Sequence, residues 1–112
     1  MCENGYLIGD DWVDTYTWQD NVGTAIDLTS ITIRSGIKKN YTDTDYAIDP
    51  TDITITKLNQ TTNTGQFTVL FPNSKTSLLE LGCYFMEIEI VSGGLITTIL
   101  QEKIQVLPQI LT

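Results

Sequence analysis

The side chains best equipped for chemistry in this sequence are its carboxylates, and four of them, Asp43, Asp45, Asp49 and Asp52, crowd into one short stretch. Hard oxygen ligands of this kind are what Ca²⁺ takes, so the stretch is a candidate calcium loop. The pattern is incomplete. A regular calcium loop starting at Asp43 would want a third oxygen donor and then a glycine where Ala47 and Ile48 stand. The competing reading is a solvated acidic loop that blunts an edge strand against pairing with other chains. Paired carboxylates can also hydrolyse glycosides, but fourteen acids allow many pairs and nothing selects one.

The sequence has no histidine, which removes the commonest general base, the usual zinc ligand and any Ser-His or Cys-His dyad. Gly23, Gly36, Gly65 and Gly82 stand alone and match no phosphate-cradling loop. We therefore expect no enzyme and no cofactor. Cys2 lies near the start and Cys83 heads an apolar strand, a placement that reads as two free thiols and a chain folding in a reducing cytosol. Met1 to Gly9 holds neither a basic leader nor an apolar run, and no window approaches the roughly 18 apolar residues that span a bilayer.

Fourteen acids against six bases give a net charge of −8, and six of the acids precede the first base, Arg34. A field of that sign repels phosphate backbones and anionic lipid heads, so neither nucleic acid nor membrane is an expected partner. Trp12, Tyr16 and Trp18 share one face of a strand by their even spacing. They could form a ridge on which a sugar stacks. Burial against a second sheet is the cheaper use, with Tyr16 and Trp18 inward and Trp12 partly exposed.

These side chains have to be positioned by strands. One domain of 112 residues buries roughly two-thirds of its unfolded surface, and a composition rich in Thr and Ile favours pleated elements over helices. Short alternating segments follow one another with turn residues between, the pattern of a sandwich or barrel. A strand runs through Trp12 to Trp18; Ile31, Ile33 and Ile37 form an apolar row that Ser35-Gly36 would interrupt with a bulge. Ile53 and Ile55, then Phe67, Val69 and Phe71, mark two more strands, and the segment from Asn73 has room for one helical turn. Tyr84, Met86, Ile88 and Ile90 alternate up to a Ser92-Gly93-Gly94 hairpin, whose return strand changes apolar register around Gln101 to Lys103. Glu80-x-Gly82-x-Tyr84, directly before that long strand, is a tyrosine corner, in which the hydroxyl bonds to backbone just upstream. The fold expected is an all-β, immunoglobulin-like antiparallel β-sandwich of about seven to eight strands. Residues 1–8 are expected to be a flexible N-terminal segment, 9–106 the sandwich and 107–112 an apolar C-terminal tail.

Gly9-Asp10-Asp11-Trp12, Gly23-Thr24-Ala25-Ile26-Asp27-Leu28-Thr29, Ile33-Arg34, Phe71-Pro72, Thr76, Leu79 and Gly82-x-Tyr84, in that order, resemble small immunoglobulin-like virion structural proteins of tailed bacteriophages and prophages. The chain is also similar to the N-terminal sandwich of upper-baseplate proteins. The resemblance implies a non-enzymatic virion protein, an accessory adaptor held to the tail, baseplate or neck by protein–protein contacts, in several copies among other virion proteins. Two alternatives stand beside it: a capsid decoration protein that reinforces the shell, and a carbohydrate-binding module for host or mucosal glycan acting through Trp12. Leu107, Ile110 and Leu111 lie past the last regular alternation, where they either dock on a neighbour or fold back over their own sandwich.

Overall fold

The computed structural model describes residues 4–109, in which seven strands follow in chain order: β1 (Asn4–Leu7), β2 (Trp12–Thr17), β3 (Thr32–Lys38), β4 (Thr54–Lys57), β5 (Gln66–Phe71), β6 (Gly82–Ser92) and β7 (Leu95–Leu107). A 3₁₀ turn at Pro50–Asp52 and one helical turn, α1 (Asn73–Thr76), lie in the connections. The strands form two sheets, ordered β1-β7-β6-β3 and β2-β5-β4. All pairings are antiparallel except that of β1 with β7. This is the strand order of an immunoglobulin-like sandwich in which the first strand has left the three-stranded sheet to lie beside the last.

The apolar rows explain why the sheets face each other. Ile33, Ile37, Tyr84, Met86, Ile88, Ile90, Ile104 and Val106 project from one sheet, Trp12, Phe67, Val69 and Phe71 from the other, and all are buried. Each such side chain contributes about 1.5–3 kcal/mol through water exclusion. Leu28, Ile48, Ile53 and Leu79 close the core from the connections. Gln60 fixes one end of the sandwich: its Oε1 accepts from the N–H groups of Leu28 and Gly65, both at 2.9 Å, and its Nε2 donates to the Leu58 carbonyl. At the other end Asp11 Oδ1 accepts the Asn73 N–H (2.7 Å), capping α1 from a distant segment, while the buried Thr76 hydroxyl donates to the Asp10 carbonyl.

Several local expectations are corrected. The described part of the segment expected to be flexible forms β1, because Asn4 to Leu7 register against Ile104 to Leu107. Leu107, placed in the tail by the sequence, is the last residue of β7, and its carbonyl accepts the Ile8 N–H at 2.9 Å. β3 runs without a bulge through Ser35 and Gly36; the buried Ser35 hydroxyl is satisfied by the Glu87 carbonyl at 2.9 Å. The bulge in the long hairpin sits earlier than Gln101, since Ile88 faces Leu100 while Glu89 faces Thr98 and leaves Ile99 as the extra residue. Cys83 is disulfide-bonded, which overturns the expectation of a free thiol there; the only other cysteine, Cys2, lies outside the described residues.

Candidate functional site

The carboxylates of the acidic loop do not converge. Asp43 accepts the Asn40 N–H at 3.1 Å, and Asp49 accepts both the N–H and the hydroxyl of Thr51 at 2.9 Å. Asp52 lies 3.8 Å from Lys75 on α1. Asp45 is exposed in the same loop. Among the described residues no group of three acids or cysteines is placed to hold a metal ion. Elsewhere the acids brace turns: Asp20 accepts the N–H groups of Val22 and Thr24, and Asp27 those of Thr29, whose hydroxyl and amide hold its carboxyl below the usual range. Asp49 is lowered in the same way by Thr51, amide first.

The aromatic strand is arranged in the opposite sense to the one expected. Trp12 is buried at 4% exposure, whereas Tyr16 and Trp18 are half-buried. β1 makes the difference: the Tyr6 ring packs 4.8 Å from the Trp12 ring, and Trp12 Nε1 donates to the Leu7 carbonyl at 2.8 Å. Tyr6 in turn donates to Asp14 Oδ2 at 2.8 Å, and burial with that carboxylate pushes its own ionisation well above the ordinary tyrosine range. A buried Trp12 offers no stacking surface, so a glycan site through it is withdrawn.

At the corner, the Glu80 N–H donates to Tyr84 Oη at 2.9 Å, with the tyrosine ring buried and the Lys39 ammonium 4.4 Å above it. Gly82, between them, turns the chain with φ of 132°. The arrangement is structural. Gln109, just past β7, donates to the Ile8 carbonyl at 2.8 Å and to Asp10, so the chain beyond Leu107 is tied to its own N-terminal segment as far as it is described. Ile110 and Leu111 lie outside the described residues.

A different surface has the features of a binding site, on the outer face of the four-stranded sheet. Three rows cross β3, β6 and β7 there: Lys38·Phe85·Lys103, Gly36·Glu87·Gln101 and Arg34·Glu89·Thr98. The middle row has no side chain at Gly36, and the loop after β3 lays Tyr46 into that gap. A β-carbon on Gly36 would come within 2.8 Å of the Tyr46 ring. Tyr41, from the same loop, stacks on Phe85 with ring centroids 3.9 Å apart. Both tyrosines stay open to solvent, at 57% for Tyr41 and 40% for Tyr46. Between them lies a hollow of about 160 Å³ with Glu87 and Gln101 in its lining. Arg34 pairs with Glu89 at 2.7 Å, Lys38 stands 4.9 Å over the Tyr46 ring, and Glu87 accepts the Thr98 hydroxyl at 3.1 Å. The signal in the sequence was Phe85, an aromatic on the outer face of β6 beside Glu87 and Glu89.

The second unusual surface is the tip of the β6–β7 hairpin. Residues 92–98 are exposed on both faces, and the tip displays Leu95 at 75% and Ile96 at 62% exposure.

No protein-family model matches the chain, and no curated protein is similar to it. Among the described residues no helix is long and apolar enough to cross a membrane.

Proposed function

We propose that the chain is a non-enzymatic accessory protein of a tailed-bacteriophage particle, an adaptor fixed by protein–protein contacts to the tail, baseplate or neck. The observation that carries the docking role is the hairpin tip, where Leu95 and Ile96 are held in water on a two-stranded ribbon that reaches past the core. Exposed apolar side chains on a projecting ribbon can be covered by a neighbour without disturbing the core, so the tip is suited to insertion into another protein. The particle setting comes from the resemblance of the ordered segments between Gly9 and Tyr84. A disulfide-bonded Cys83 agrees with a protein that works on a released particle, since virion surfaces are among the places where disulfides persist.

The test is co-sedimentation of the purified protein with particles that lack it. Leu95→Asp with Ile96→Asp should keep the melting temperature within a few degrees of the parent and abolish binding. Binding that survives the double substitution would remove the tip as the docking element. Capsid decoration uses the same chemistry on a different neighbour, and electron microscopy of labelled particles separates it from a tail position.

A further inference from the structure

We propose that the hollow between Tyr41 and Tyr46 binds one sugar ring of a neutral glycan, a function separate from the docking role and independent of it. A pyranose has an apolar C–H face and a rim of hydroxyls that both donate and accept. Tyr41 packs on Phe85 and keeps 57% of its surface exposed, which leaves aromatic surface for the C–H face. The rim meets acceptors on Glu87 and Glu89 and donors on Arg34, Lys38 and Gln101, alternating across three strands whose register fixes their spacing.

Two observations favour a sugar over a protein segment. The molecule carries a net charge of −8, yet this hollow is lined by two acids and two bases, so it is neutral inside an acidic surface. A charged peptide would find no complementary field there, whereas hydroxyls are served by both signs. The hollow is also small, about 160 Å³, and suits one ring rather than an extended chain. Gly36 makes it possible. Any side chain at that position would push Tyr46 out and fill the space it borders.

The experiment is a titration of ¹⁵N-labelled protein with glucose, galactose, N-acetylglucosamine and rhamnose, each alone, with a tetra-arginine peptide as a separate arm. At least one of the four sugars should shift the amide signals of Gly36, Glu87 and Gln101 saturably. Tyr41→Ala and Glu87→Gln should each weaken that binding by about tenfold or more while leaving the melting temperature unchanged. The proposal fails if none of the four sugars moves these signals, or if Tyr41→Ala leaves the shifts intact. Shifts produced by the peptide alone would assign the hollow to a protein partner and overturn it too. Loss of sugar binding would leave particle binding untouched, so the two functions fail separately.

Discussion

The Tyr84 hydroxyl, on a buried ring, is the acceptor for the partly buried backbone N–H of Glu80, and its removal leaves that donor without its protein partner. Tyr84→Phe should therefore cost about 1–3 kcal/mol in chemical denaturation. A variant as stable as the parent would mean that water takes the place of the hydroxyl. Tyr6 and Tyr16 bear on the alkaline limit of the fold. Burial, with Asp14 beside them, raises both ionisations, so each must reach the solvent-exposed unfolded state to lose its proton easily. The sign follows from linkage: their stabilising contribution is complete below the ordinary tyrosine value and falls as pH rises above it towards the raised folded values. Stability measured through that alkaline window should decline, and Tyr16→Phe should flatten the decline. Tyr84 was legible in the sequence because its motif is local, five residues long, with its own hydrogen bond. The Trp12 arrangement was not, because even spacing puts three rings on one face without saying which a neighbouring strand will cover.

At the scale of the element, β3 shows how one missing side chain shapes a surface. Ser35-Gly36 reads as a break in an apolar row, but both residues keep strand register, and Gly36 serves the close approach of Tyr46. Gly36→Ala should displace the Tyr46 ring, which is open to solvent and can give way at little cost in stability, and an NMR spectrum should show the ring no longer packed on β3. An unchanged ring environment would mean that the loop relaxes as a whole. The long strands β5, β6 and β7 were legible from their alternation. β1 was not: Asn4-Gly5-Tyr6-Leu7 has no repeat of its own and becomes a strand only because β7 offers it an edge. The hollow was hidden for a related reason, since it needs the register of three strands and the path of a loop.

For the molecule as a whole, the disulfide-bonded Cys83 replaces the expectation of a fold without staples. Protein denatured without reductant should show no titratable thiol, and Cys83→Ser should cost about 2–5 kcal/mol, the range for removing a native bridge from a small domain. Two titratable thiols would overturn the assignment. The parallel alignment of β1 with β7 carries a mechanical consequence. Once the disulfide is reduced, tension applied at the two ends of the chain would draw these neighbours in opposite directions along their common axis, loading the Asn4–Leu7 ladder in shear so that its bonds yield together instead of one at a time. In single-molecule pulling of the reduced protein, force through the ends should need to be larger than force applied across the open end of the β6–β7 pair from Gly82 and Val106, whose ladder peels bond by bond. A domain strung between two larger bodies would in that way resist being stretched while remaining easy to open from the side.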